Sequence, residues 1–319
     1  MLKRYLARRL LVAIPSLVIA SVIVFTLPRL IPGDAVQLML AETSYAKDLD
    51  ELRARLGLDR ALHVQYAEWA GRVLRGDLGE SLWTRRPVLD ELAQRLPVTA
   101  ELAVYATIIA LVIALPIGVL AAARQDTIAD YIARSVAILG LSLPGFWLGT
   151  LLIVLPAIWW GWRPVTGFVE FRQDPAAHVL QMVLPALVLG IASAAALMRL
   201  TRGMLLEALR QDYVRTAWAK GLAERKVVLK HALRNAVIPV ITLLGTQLPL
   251  ILGGTVVIET IFAWPGVGAY AFDSIIALDY APVMGVTLLV TAIFVLVNFG
   301  IDLLYPVVDP RIKLWGQVS

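Results

Sequence analysis

Chemistry on a protein needs a nucleophile, a metal set or a phosphate cradle, and this 319-residue chain supplies few of the parts. There are no cysteines, which removes thiolate nucleophiles, thiolate metal sites and disulfide scaffolds. The three histidines, His63, His178 and His231, share no metal-ligand spacing. No Gly-x-x-x-x-Gly-Lys-Ser/Thr run occurs, so the chain lacks the loop that grips nucleotide phosphates. No nucleophile–base pairing stands out. If energy drives this protein, it enters from another chain.

What the chain does carry is a block of charge. Arg199 to Arg234 holds nine bases against three acids, Glu207, Asp212 and Glu224. Within it, Tyr213–Lys220 is predicted as a short helix closed by Gly221 as its C-terminal cap. Ala217 and Ala219 lie beside that glycine, so a small-residue surface is expected to face whatever approaches. A second amphipathic stretch sets Val227, Val228, Leu229, Ala232 and Leu233 among Arg225, Lys226, Lys230 and Arg234. Basic amphipathic segments also suit anionic lipid. The residues alone leave a lipid surface and a protein partner both open.

The elements that position this block are read from composition. Hydrophobic residues make up 59% of the chain and charged ones only 17%, against about 45–50% and about 25% in soluble domains. Lipid is the solvent that such an excess implies. Six uncharged stretches of 19 to 28 residues are present: Leu10–Pro28, Leu102–Ala123, Ser135–Trp162, Val179–Met198, Asn235–Ile258 and Tyr280–Ile301. Each reaches the roughly 20 residues that a helix needs to cross about 30 Å of hydrocarbon. Barrel strands would be about 10 residues long and alternating, which these are not. The expectation is an all-α membrane protein with six transmembrane helices.

The first stretch follows Lys3, Arg4, Arg8 and Arg9, as a signal peptide would. It runs into Pro28-Arg29-Leu30-Ile31-Pro32 with no small-x-small cleavage site, and is read as a retained helix. Orientation follows from Lys and Arg. With the N-terminus inside, the inner segments carry 17 bases and the two short outer loops carry 2. The long outer loop is discounted because the rule holds for loops under about 60 residues. Both termini are therefore expected in the cytoplasm.

None of the six stretches contains Asp, Glu, Lys, Arg or His, whereas ion-coupled transporters place such residues within the membrane. An ion-coupled secondary transporter or channel is thus the alternative reading. Polar candidates for a lining are Ser142, Gln181, Ser193, Thr242, Thr246, Gln247 and Asn298, with helix–helix hydrogen bonding as their plainer role. Pro116, Pro144, Pro156, Pro185 and Pro249 predict kinks.

The basic block resembles the coupling loop of binding-protein-dependent ABC importer permeases, whose general pattern is Glu-Ala-Ala-x3-Gly-x9-Ile-x-Leu-Pro. Aligned on Gly221, Arg215-Thr216-Ala217 stand at the Glu-Ala-Ala places, and His231, Leu233 and Arg234 at the Ile, Leu and Pro places. These departures are similar to the peptide-permease branch. Its string Tyr-x-Arg-Thr-Ala-x-Ala-Lys-Gly-Leu is met by Tyr213 to Leu222, and His-Ala-Leu-Arg-Asn-Ala by His231 to Ala236. Further strings agree in order: Arg8-Arg9-Leu10, Pro32-Gly33-Asp34, Leu56-Gly57-Leu58-Asp59, Gln65-Tyr66, Gly76-Asp77-Leu78-Gly79, Arg95-Leu96-Pro97 and Ser142-Leu143-Pro144. Glu259-Thr260-Ile261-Phe262-x-Trp264-Pro265-Gly266-x-Gly268 and Asp309-Pro310-Arg311 complete the series. The chain is identified as resembling the B-type permease of dipeptide/oligopeptide importers, a branch that also takes in nickel, glutathione and opine systems.

The resemblance implies a type I ABC importer permease fold and half of a translocation pathway. It implies a second homologous permease, two ATPase subunits and an extracytoplasmic binding protein, with membrane lipid around them and no nucleic acid. No cofactor is expected in this chain, because ATP and Mg belong to the ATPases, and the chain is expected not to be an enzyme. Tyr213, Arg215, Thr216, Ala217, Ala219, Lys220, Gly221, Leu222 and Arg234 are the expected ATPase-coupling residues. Trp264-Pro265-Gly266 forbids a continuous helix, so an irregular segment is expected to re-enter, with Thr246, Gln247, Phe262 and Trp264 as gate or pathway residues. The expected organisation is a head and first helix at 1–30, an outer loop at 31–97, and a five-helix core at 98–319 with the coupling loop at 199–235. In the outer loop, Leu49, Leu52 and Leu56 share one helical face, and Pro87 heads another short helix with Val88, Leu89, Leu92 and Leu96. Such helices suit the outer membrane surface or a docking protein.

Overall fold

A computed structural model describes residues 11, 14–26, 60–162 and 167–308, without side chains for 302–308. The expected helix at Lys47–Leu56, the basic head and the closing Asp309-Pro310-Arg311 lie outside the described residues. Among the described residues the helices are α1 (Ile14–Thr26), α2 (Leu62–Val73), α3 (Val88–Ala123), α4 (Ile128–Ser142), α5 (Gly145–Trp160), α6 (Pro175–Leu209), α7 (Asp212–Ala219), α8 (Glu224–Ile261), α9 (Val267–Ile276) and α10 (Tyr280–Val308). Among the described residues there is no strand, and one antiparallel bridge joins Glu80 to Pro87.

Among the described residues, four helices are long and apolar enough to cross a bilayer: α3, α6, α8 and residues Tyr280–Ile301 of α10. They contain four of the expected spans. The expected third span differs. It is two helices, α4 and α5, bent by 99° at Ser142-Leu143-Pro144. The cause is local: proline bars its predecessor from helical geometry, and Leu143 takes an extended ψ of 124°. α3, α5, α6 and α8 run on through Pro116, Pro156, Pro185 and Pro249. The described part of the first span is the 13-residue helix α1.

Two further expectations are corrected. The short helix headed by Pro87 is not separate; Val88 opens the 36-residue α3. The expected loop at 199–235 is largely helical, because α6 extends to Leu209 and α8 starts at Glu224. Both corrections share a reason. Charged residues end an apolar span but not a helix, since Glu, Arg and Lys are good helix formers.

The chain divides into two units, Met1–Pro97 with Ala269–Leu296, and Val98–Gly268 with Val297–Ser319. In the first, Val24, Phe25, Trp69 and Met284 form a small core, with Tyr66 edge-on to Phe25 at 5.4 Å. Asp279 is buried and accepts the Ser81 hydroxyl at 2.6 Å and the Leu82 N–H. Glu91, also buried, accepts from Arg86 and Arg95, and Arg95 lies 4.6 Å over the Tyr270 ring. Burial, with Glu91 and Asp279 adding, pushes the Tyr270 hydroxyl up to about 12, so it stays neutral at ordinary pH.

The second unit is a bundle in which α6 is the hub. Asp174 caps its start by accepting the Ala176 and Ala177 N–H groups at 3.0 Å, with Pro175 in the first turn. A line of buried alanines on α3, Ala106, Ala110 and Ala114, recurs every fourth residue, which puts them on one face. Small residues let helix backbones approach where lipid supplies no hydrophobic drive between helices. At Gly190 of α6 an added Cβ would stand 2.7 Å from the Ala106 carbonyl oxygen of α3. We expect Gly190→Ala to destabilise the protein by about 1–3 kcal/mol through overpacking. Gly203→Ala, with nothing within 4 Å of its Cβ, is the control. Equal thermal midpoints in detergent for the two variants would remove this packing account.

The bundle is also tied by charge. Asp130 of α4 is fully buried and takes both arms of Arg202 from α6, Nε and Nη2, at 2.7 Å. The Asp126 N–H donates to the same carboxylate at 3.0 Å, and Arg134 Nε lies 3.4 Å away.

Candidate functional site

The basic segment folds as a bracket. α7 buries Val214 and Ala217, three residues apart, in a cluster with Ala122 of α3, Leu205 and Ala208 of α6, and Val227 of α8. Gly221 ends α7 with φ +73°. Its N–H donates to the Trp218 carbonyl at 2.8 Å, and the Leu222 N–H to the Ala217 carbonyl at 3.4 Å. This paired closure is the Schellman cap, and Leu222 folds back onto the same cluster. The helix and cap expected from sequence are present, one residue earlier at each end.

Burial decides which residues of the segment can meet a partner. Tyr213, Arg215, Thr216, Ala219, Lys220, Gly221 and Arg234 are exposed, and Leu222 is half-buried. Ala217 is buried, so the expected small-residue docking surface does not include it; its small size serves packing beneath α7. Trp218 points out, 43% exposed, and was missed because it falls at a variable place of the string. Helical phase gave no signal for it, since a residue four on from buried Val214 and next to buried Ala217 falls at the edge of the buried face.

Two features join the bracket to α8. The Asn235 amide donates to the Tyr213 hydroxyl at 2.9 Å. Between Glu224 and Asn235, Val227–Ala232 forms a π-helical turn that buries Val227, Val228 and Ala232. Such one-turn insertions recur at functional sites in helices.

At the other end of α8 the helix stops at Ile261 and the chain turns through 262–266 before α9. The Trp264 N–H donates to the Glu259 carbonyl at 2.8 Å, and the Gly266 N–H to the Trp264 carbonyl at 2.9 Å. Phe262 and Trp264 are both buried, in a core with Val98 and Leu102 of α3 and Met182 and Ala186 of α6. Trp264 meets Phe168 edge-on at 5.7 Å, and Phe168 meets buried His178 at 5.6 Å. Sequence reasoning found the break but passed over Glu259 and Thr99, whose side chains bond to each other across it.

Thr246 and Gln247 separate. Gln247 lines a half-open apolar cavity of about 370 Å³ between the start of α5, α6 and α8, where Ser193 is the other polar side chain. Thr246 is not among its lining, and its hydroxyl donates to the Leu243 carbonyl of its own helix. Ser142 and Thr242 likewise bond to Ile138 and Ile238 carbonyls rather than to another helix.

Residues 114–314 match the family described as binding-protein-dependent transport system inner membrane component. The chain belongs to that family. Residues 1–103 match its N-terminal membrane component. The permease is 39% identical to the dipeptide transport system permease protein DppB of Escherichia coli (strain K12), over 97% of this chain and 98% of that one. It is 39% identical to the oligopeptide transport system permease protein AppB of Bacillus subtilis (strain 168), over 97% and 99%. It is 40% identical to the glutathione transport system permease protein GsiC of Salmonella choleraesuis (strain SC-B67), over 97% and 98%.

Solved structures share the fold. A chain of the inward-facing MetNI methionine ABC transporter superposes with a TM-score of 0.55 at 18% identity, covering 68% of this permease and 96% of that chain. An amino acid ABC transporter gives 0.52 at 16% identity, over 70% and 94%. The protein is thus the membrane-embedded permease component of a binding-protein-dependent ABC importer, a multi-pass protein of the inner membrane, and not itself the catalytic component.

Proposed function

We infer that this permease forms half of the pathway of a peptide-type importer, working with a second homologous permease, two ATPase subunits and an extracytoplasmic binding protein. Its cargo class is di- or oligopeptides or a related small solute, the class named for its relatives. The chain crosses the membrane six times with both termini in the cytoplasm, a topology supported by the base count of 17 inside against 2 outside. ATP and Mg act on the ATPases, and this chain converts their closure into movement.

The observation that carries the reading is the bracket. α7 is clamped by Val214 and Ala217 and capped by Gly221, and presents Arg215, Trp218, Ala219 and Lys220 outward. Inverting a two-state equilibrium from 1:99 to 99:1 takes about 5.5 kcal/mol of differential binding. A capped helix held on three others supports a rigid contact able to transmit that. Tryptophan and arginine are the residue types that dominate interface energies.

Gentle purification from the native membrane, followed by mass spectrometry, tests the assembly. Two P-loop ATPases (or one type in two copies) and a second permease are expected. Recovery of this chain alone, or as a homo-oligomer without ATPase, would overturn it. The Trp264 turn is the gate in this reading. Phe262→Ala with Trp264→Ala is expected to lower ATP-driven uptake into proteoliposomes at least tenfold, or to raise passive leak by a similar factor. Unchanged uptake together with unchanged leak would remove the gate role.

A further inference from the structure

α8 is one rod that starts in the basic segment and ends beside the Trp264 turn. Its 38 residues, at about 1.5 Å each, span about 57 Å. Glu259 stands in its last turn with no exposed surface, a costly place for a carboxylate whose oxygens are not bonded. The Thr99 hydroxyl of α3 donates to Glu259 Oε1 at 2.6 Å, and the Thr99 oxygen accepts the Val267 N–H at 2.8 Å. One hydroxyl thereby joins the end of α8, the start of α9 and the side of α3.

Around this carboxylate the chain is stripped of side chains. A Cβ at Gly266 would collide with the Glu259 carboxylate, and one at Gly268 would lie 2.5 Å from Val256 Cα and 2.9 Å from Glu259 Oε2. Neither glycine has a positive φ. Space, rather than backbone conformation, therefore excludes side chains here: at 266 it is taken by Glu259, and at 268 first by the α8 backbone at Val256 and then by Glu259. The run from Glu259 to Gly268 is thus one device, a buried carboxylate with the bare position 266 packed directly against it and 268 beside it. An apolar side chain of similar volume would fill the same space at lower desolvation cost, so stability alone does not account for the acid.

We propose that Glu259 is the positioning residue of the Trp264 turn. Through Thr99 it fixes the turn to α3, so that displacement of α8 reaches Trp264 instead of dissipating in the break at 262–266. This rests on the gate reading above.

The chain has no cysteine, so Ala100→Cys on α3 and Pro265→Cys in the turn, both exposed, can be spin-labelled without background from this chain, and the same labelling of a complex with the parent permease is the blank for the other subunits. The sample is the assembled complex in lipid, and electron paramagnetic resonance reads the interspin distance with and without vanadate-trapped ATP. The parent is expected to give one narrow distribution that shifts on trapping. Thr99→Val and Glu259→Gln are expected to widen the resting distribution at least twofold and lose the shift, whereas Thr99→Ser retains parent behaviour. Parent-like width and shift in Thr99→Val and Glu259→Gln would overturn the proposal.

A parent that is narrow but never shifts would count against the gate reading, while the widths still judge the role of Glu259. Should Glu259→Gln fail to assemble, a double-mutant comparison decides. Gly266→Ala is expected to lower the yield of assembled complex at least tenfold beside Glu259 and much less in a Glu259→Ala background. Equal loss in both backgrounds overturns the proposal.

Discussion

Gly221→Glu abolishes uptake and leaves the permease folded in the membrane. Nothing lies within 4 Å of a Cβ built at Gly221, so a side chain there meets only what docks from outside. The φ of +73° adds about 1–2 kcal/mol of backbone strain for a residue with a Cβ. That strain is local, because Val214 and Ala217 still anchor α7. The expected result is at least a hundredfold loss of ATP-driven uptake, with normal membrane accumulation and loss of co-purifying ATPase. Gly221→Ala separates the two causes, since it carries the strain without bulk or charge and is expected to retain much of the uptake. If alanine proved as harmful as glutamate, strain in the cap and not contact with a partner would be responsible. Normal uptake by Gly221→Glu would count heavily against α7 as the coupling element.

Asp130→Ala is the second large effect, and it acts on stability. The carboxylate has no exposed surface and holds Arg202 through two bonds of 2.7 Å. Removing it strands Arg202, whose side chain is only 17% exposed. Breaking a buried pair from one side costs about 3–5 kcal/mol, a large share of the roughly 5–15 kcal/mol that holds a folded protein together. A marked fall in thermal midpoint in detergent, and in the amount accumulated, is expected. Replacing both partners, Asp130→Met with Arg202→Met, is expected to recover much of the loss, because Arg202 is then no longer stranded and only the more exposed Arg134 loses its acidic neighbour. A parent-like midpoint for Asp130→Ala would show that this pair does not fasten α4 to α6.

How much of this was legible beforehand differs from residue to residue. The apolar stretch Tyr280–Ile301 coincides with the span in α10, since the cost of charge in hydrocarbon is written in composition itself. The helix at 213–220 and its glycine cap were equally legible, because a cap is a local matter of φ and short-range hydrogen bonds. Leu143-Pro144 predicted a kink but not its size; the 99° bend depends on where α4 and α5 each find packing. Ala217 was read as surface from its size, yet its orientation is set by the cluster beneath α7.

By itself, then, the sequence determined the lipid solvent, the positions of most spans, the lack of a nucleotide cradle, and, through an ordered series of short strings, the family. Each is read from short runs of neighbouring residues, and for the family from the order of those runs along the chain. Only the tertiary structure decided which residues of the basic segment look outward, that Gln247 but not Thr246 meets the cavity, and that Asp130 finds Arg202. It alone showed that Thr99, 160 residues before Glu259, holds that carboxylate. Such pairings between distant positions leave no periodicity or spacing in the chain, because they exist only once the helices have packed.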